Sequence, residues 1–173
     1  GRIYRLVREG IDPGPSPRFG KSDARELVEA LGHPNGWWRD EAQKLLVLRK
    51  DSKSIALLRN AVTNAKSGFA RAHALWTLDG MGVWDESLVL HGISDKNVEV
   101  RLAALRVAGE RILYHEASDA LLEAVSQSLP DDALEVATQR LLSLSLHQKQ
   151  TKAFAVRPGH TERVMKAAGE FID

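Results

Sequence analysis

The sequence predicts an all-α fold, a stack of about four short helical hairpins preceded by a short strand and an extended arm. Three observations carry that expectation. From Ser22 onward apolar residues recur at helical spacing, and no second convincing strand follows. Helix breakers then come in a rhythm: Asn35-Gly36, Asp51-Ser52, Ser67-Gly68, Gly80 to Gly82, Ser94-Asp95, Ser118-Asp119 and Pro130-Asp131. Finally, three segments align without gaps: WWRDEAQKLL from Trp37, FARAHALWTL from Phe69 and EVRLAALRVA from Glu99. Each reads apolar-Arg-x-x-Ala, and a fixed period of this size marks stacked supersecondary units.

The elements follow in order. Residues 1–8, GRIYRLVR, carry the β-formers Ile3, Tyr4, Leu6 and Val7. A lone strand needs a sheet to join, so this run is expected to be the remnant of an upstream sheet domain. The chain opens on Gly1 rather than Met, which suggests an excised or processed piece. Residues 9–21, EGIDPGPSPRFGK, hold three Pro and three Gly and read as a linker or an extended arm. Ser22 or Asp23 can cap a first helix carrying Leu27, Val28 and Leu31, which Gly32, Pro34 and Gly36 stop.

The repeat domain spans residues 22–147. Its arginines, Arg39, Arg71 and Arg101, stand 32 and 30 residues apart, and Ala42, Ala74 and Ala104 follow each by three. A fourth copy centres on Leu134 and Ala137 without an arginine, as expected of a terminal capping repeat. At about 100° per residue, positions one before and three, six and seven after each arginine share one side. These are Trp38, Ala42, Leu45 and Leu46; Ala70, Ala74, Thr77 and Leu78; Val100, Ala104, Val107 and Ala108. They are the expected core, with the alanines letting helices approach closely. The preceding helices bring Ile55, Leu58 and Val62; Leu88, Leu90 and Ile93; Leu121, Leu122 and Val125. Residues 148–173 read as a polar stretch, a turn at Pro158-Gly159 and a capping helix with Val164, Met165, Ala168 and Phe171.

The repeated apolar-Arg-x-x-Ala pattern resembles HEAT repeats of a compact variety. The resemblance implies a right-handed α-solenoid. It also implies that the arginines are structural, each contacting an acidic side chain between repeats, for which Asp51, Asp85 and Asp95 are available. A longer stretch, GRIYRLV with the Pro/Gly arm, GWWRDEAQKLLVLRKD and ARAHALWTLDGMG, resembles a junction in large bacterial membrane-bound dehydrogenase-like proteins. Those chains join a quinoprotein sugar dehydrogenase-like β-propeller, a HEAT segment and often a haem-binding cytochrome c domain. The resemblance implies that GRIYRL closes the last propeller blade. The partners would then be a neighbouring propeller and cytochrome domain, and the location periplasmic or otherwise extracytoplasmic. This stretch departs from the family pattern in holding neither a propeller nor C-x-x-C-H, so no cofactor is expected in it.

Composition narrows the chemistry. The 173 residues are 43% apolar and contain no cysteine, which excludes disulfides, thiolate metal sites, a cysteine nucleophile and covalently attached haem. No run reaches the roughly 18 apolar residues of a membrane span, so membrane insertion is not expected. The histidines at 33, 73, 91, 115, 147 and 160 include no H-x-x-x-H pair, and no metal site is expected. Neither G-x-S-x-G nor a phosphate-binding glycine loop is present. Asp40-Glu41 diverge around a helix, and Asp131-Asp132 read as a cap. No catalytic residue is assigned.

The informative constellation lies opposite the core stripe. Trp37, Glu41 and Lys44; Phe69, His73 and Trp76; and Glu99, Ala103 and Arg106 form three columns on stacked repeats. Trp37 then neighbours Phe69, and Trp76 falls between Lys44 and Arg106. Large aromatics on a face that should be solvated mark a contact surface. The alternative is that the rings pack on the next repeat or on the N-terminal arm.

Charge is segregated. Residues 36–71 hold eight Lys+Arg against three Asp+Glu, residues 112–139 hold six acids and no Lys or Arg, and residues 140–173 return to six basic against three acidic. The functional expectation is a non-catalytic interaction scaffold. The alternative is a HEAT-like DNA glycosylase or other nucleic-acid-binding HEAT protein, a class that resembles this chain at Trp37, Trp38, Arg39 and Asp40. A net charge of +1 and an acidic fourth repeat equip the chain poorly for a duplex. A bilin-lyase-like protein rests on repeat length alone.

Overall fold

A computed structural model describes residues 9–10, 18–115, 117–127, 135–140 and 142–143. The expected strand at 1–8, most of the arm at 9–21 and the tail at 148–173 lie outside the described residues. Within them the chain is all-helical and no strand occurs. A 3-10 turn at Phe19–Lys21 precedes α1 (Ala24–Ala30), α2 (Gly36–Arg49), α3 (Ser52–Asn64) and α4 (Gly68–Gly80). Then come α5 (Glu86–Ile93), α6 (Val98–Tyr114) and α7 (Asp119–Ser126). Residues 135–140 and 142–143 are also helical.

The breakers of the sequence are largely the caps of these helices. Asp23 and Glu26 form a reciprocal capping box at α1, with N–H···O distances of 2.9 and 3.0 Å. Asn35, Asp51, Asn97 and Ser118 accept backbone N–H groups at the starts of α2, α3, α6 and α7. Each satisfies a donor that the first turn of a helix leaves without an intrahelical partner.

Packing sorts the helices into two rows. α2 lies against α4 and α4 against α6, while α1 lies against α3, α3 against α5 and α5 against α7. The two rows join within pairs: α1 with α2, α3 with α4, α5 with α6. The core runs between them. Ala42, Leu46, Ala74, Leu78, Val100, Ala104, Val107 and Ala108 are buried from one row, and Leu58, Val62, Leu88, Ile93, Leu121, Leu122 and Val125 from the other. Trp38, Leu45, Ile55 and Leu90, also expected there, are half-buried at its margin. Each fully buried Leu or Ile contributes about 1.5–3 kcal/mol.

The expected close approach occurs at Ala104. Its Cβ faces Gly92 of α5, where an added Cβ would stand 2.8 Å from Ala104 Cβ and 2.9 Å from Leu75 Cδ1. Glycine is needed at 92 for space, since real Cβ atoms do not approach that closely.

The repeat arginines share one task. Nη1 of Arg39 donates to the carbonyls of His33 and Pro34, and Nη1 of Arg71 to those of Ala65 and Lys66. Arg101 does the same to Asp95. In each case a cation on the second helix of a pair reaches carbonyls at or just beyond the C-terminal end of the first helix, where orphan acceptors and the negative dipole end lie. Arg71 also forms a bidentate pair with Asp95, Nε–Oδ2 2.7 Å and Nη2–Oδ1 2.8 Å, with the two side chains 7% and 6% exposed. Of the other available acids, Asp51 caps α3 and Asp85 pairs with Arg59.

The fourth repeat differs from the expected register. Its arginine is present at Arg140, 39 residues after Arg101. It is 1% exposed, and its Nη1 donates to the carbonyls of Ala124 and Val125 in the last turn of α7. Ser143 stands three residues on, where the other copies have Ala, fully buried with its hydroxyl donating to Leu105 O. The alignment on Leu134 and Ala137 missed this copy because Arg140 follows Arg101 by 39 residues, against 32 and 30 for the earlier arginines.

Candidate functional site

Among the described residues, the large apolar side chains that stay exposed are Trp37, Leu48, Phe69, Tyr114 and Leu142. The first four sit on α2, α4 and α6, and Leu142 is on the last helical stretch, so all belong to second helices of their pairs. Here one row of helices presents its outer side.

At the N-terminal end of this face the rings are organised by Arg39. Trp37, 57% exposed, stacks at 6.5 Å on Phe19 of the 3-10 turn, and Phe19 also meets the edge of Trp38 at 5.6 Å. Trp38 lies parallel to His33 at 4.1 Å. The Arg39 guanidinium covers the Phe69 ring at 4.3 Å. Trp37 and Phe69, expected as neighbours, therefore have Phe19 and Arg39 as their respective partners.

His73 belongs to the expected outer column but is buried, 7% exposed. The stripe argument assumes one buried side, whereas α4 is packed by α1, α2, α3, α5 and α6. Arg39 Nε–H donates to His73 Nε2 at 3.2 Å. The ring proton therefore sits on Nδ1, which donates to Gln43 Oε1 at 2.7 Å. Burial, with the positive charge of Arg39 added, pushes the His73 pKa below the ordinary 6.5, against a smaller upward pull from Asp40. The imidazole is thus held neutral as a bridge between α2 and α4. Its edge meets the half-buried Trp76 ring at 5.3 Å.

Trp76 forms one wall of a groove of about 400 Å³ between α2 and α4. Asp40, Gln43, Lys44, Val47 and Leu48 line the other side, and Gly80 of α4 completes the lining, close enough that an added Cβ would stand 2.9 Å from Val47 Cγ2. Lys44 is tied to Glu41 at 3.1 Å. Arg106 and Glu99 are exposed on α6, while Ala103, the third member of that column, is fully buried. The structure thus gathers Lys44 and Trp76 at one groove, Phe69 and His73 around Arg39, and places Trp37 beside the 3-10 turn.

The groove residues Gln43, Val47 and Leu48 escaped the sequence reading. The signal for Leu48 was available, since Trp37, Glu41, Lys44 and Leu48 continue one helical column at alternating steps of four and three. Gln43 carried no such signal, because its part depends on the tautomer of His73. Among the described residues no group of three His, Cys, Asp or Glu could hold a metal ion, and no helix is long and apolar enough to cross a membrane.

Neither the protein-family models nor the curated proteins give a match to this chain.

Proposed function

We propose that this chain is a non-catalytic interaction module, a right-handed α-solenoid of four HEAT-like hairpins that docks a protein on the outer side of α2, α4 and α6. The observation that carries the reading is the confinement of exposed large apolar side chains to second helices. Scattered exposed leucines need no explanation, but apolar groups sorted onto one row of helices are the mark of a contact surface. The solenoid part is supported by the two-row packing and by the arginine that closes each hairpin onto its own first helix.

The resemblance of GRIYRLV and the Pro/Gly arm to propeller–HEAT junctions supports a β-propeller of the same parent chain as the docked body, with a cytochrome c domain as a second neighbour. The setting would be extracytoplasmic. The nucleic-acid alternative draws no support from Trp38 and Arg39, which are taken up by His33, Phe19, His73 and backbone carbonyls.

The test is a pair of variants, Trp37→Ser and Phe69→Ser, measured for stability and for association with the separately produced propeller. Exposed sites of this kind leave stability within about 0.5–1 kcal/mol, while association weakens by tenfold or more if the face is the interface. Unchanged association with both variants would remove this face from the interface. Retardation of duplex DNA that falls steeply with salt would instead favour the nucleic-acid reading.

A further inference from the structure

Resting on that docking reading, we infer that the α2–α4 groove is a subsite for one cationic side chain, a lysine or arginine, of the docked polypeptide.

The shape and the chemistry of the groove agree on this occupant. A volume of about 400 Å³ lies at the small end of ligand-sized clefts, enough for one long side chain. Val47, Leu48 and Trp76 give apolar walls along which an aliphatic stem can lie. The indole can also receive a cation on its face, an arrangement worth more with Trp than with any other ring.

The charges of the lining select the sign. Lys44 is the one cation in the lining, and both oxygens of Glu41 hold its ammonium, at 3.1 and 3.4 Å. Asp40 forms no ion pair among the described residues, so the groove presents one uncompensated carboxylate beside an aromatic wall.

His73 adds a directional element. Because its Nδ1–H occupies Gln43 Oε1, the Gln43 amide is oriented with its two N–H donors left for another acceptor. A peptide that lays a cationic side chain along Trp76 offers its own backbone carbonyl to that amide.

The experiment uses the intact chain and two small probes matched in stem length, n-butylguanidinium and n-pentanol, followed by amide and indole N–H chemical shifts. The expected result is a saturable shift of the Trp76 indole N–H and of the Gln43 side-chain amide with n-butylguanidinium. Asp40→Asn, at an exposed position, should weaken it about three- to fivefold, and Trp76→Leu by about fivefold or more. The circular dichroism of both variants shows that the fold is kept. Equal affinity for n-pentanol would overturn the inference while leaving the docking face in place, since the groove would then be merely apolar. Shifts that avoid Trp76 and Gln43, or no saturable shift at all, would also overturn it. The docking reading stands or falls separately, on Trp37→Ser and Phe69→Ser.

Discussion

Replacing Asp95 by Ala is the sharpest test of how the repeats are joined. In the folded chain the Asp95 carboxylate accepts Arg71 Nε–H at 2.7 Å and Nη2–H at 2.8 Å, and Oδ1 also accepts the Asn97 N–H at 2.8 Å. Both side chains are almost wholly covered. Removing the carboxylate leaves a buried guanidinium whose remaining contacts are the neutral carbonyls of Ala65 and Lys66. An uncompensated buried charge costs about 3–5 kcal/mol. Asp95→Asn keeps an acceptor of the same shape and should cost less, about 2 kcal/mol, the scale of a hydrogen bond to a charged group. Pairing Asp95→Leu with Arg71→Met should return much of the loss, because the desolvation of both charges disappears together.

The measurement is urea unfolding at pH 7 for the parent chain, both single variants and the double variant. The acid limb provides a second reading of the same pair. Burial alone would raise the Asp95 pKa, but the Arg71 hydrogen bonds, the Asn97 N–H and the Arg71 and His91 charges outweigh it and hold the pKa below the ordinary 3.8. The folded state therefore binds this proton less readily than the unfolded one. The stabilisation is complete above the unfolded value near 4 and is lost as pH falls towards the folded pKa. Asp95→Asn should flatten that limb. A cost below about 1 kcal/mol for Asp95→Ala, with an unchanged acid limb, would refute the reasoning, because that is the behaviour of a solvated surface pair.

Three further outcomes are expected. Gly92→Ala forces a Cβ against Ala104 and Leu75 and should cost about 1–3 kcal/mol by urea unfolding; a neutral result would mean that α5 and α6 can part without loss. Arg140→Ala removes a buried side chain and two hydrogen bonds to the end of α7, so about 2–4 kcal/mol should go. Proteolysis should then begin between α7 and residue 140, and a silent variant would return Arg140 to the surface. His73 is held neutral, its folded pKa below 6.5, so acidification is taken up first by the unfolded chain. Stability should fall as pH drops below about 6.5 and go on falling to the folded pKa. His73→Gln should lessen that slope between pH 7.5 and 5.5, and an identical slope in the variant would assign it to other groups.

Much of the architecture was legible in the sequence, and where legibility failed the cause was physical. The stripe of Ala42, Leu46, Ala74, Leu78, Val100 and Ala104 follows from helical angle alone, and those residues are buried. The breakers announced the helix starts because caps need Asn, Asp or Ser. Arg140 was illegible because a repeat search assumes a near-constant period, and a spacing of 39 residues breaks that assumption while the contact to the end of α7 is kept. His73 was misplaced outward because periodicity gives one direction of burial, whereas a central helix is covered from several. The groove depended on tertiary placement. Trp76 and Leu48 can be assigned to columns from spacing, but a cleft exists only through the separation of α2 and α4. No local pattern records that separation.

The first two junctions between hairpins are closed by different chemistry. Arg71 grips the third hairpin through two charged bonds to Asp95, whose backbone carbonyl is also held by Arg101. Arg39 reaches the second hairpin through one hydrogen bond to the neutral His73 ring at 3.2 Å and by covering the Phe69 ring at 4.3 Å. A bidentate pair of opposite charges fixes direction as well as distance, which a hydrogen bond to a neutral ring does less strongly. The groove between α2 and α4 therefore lies at the junction that Arg39 joins through the His73 and Phe69 rings rather than through a carboxylate.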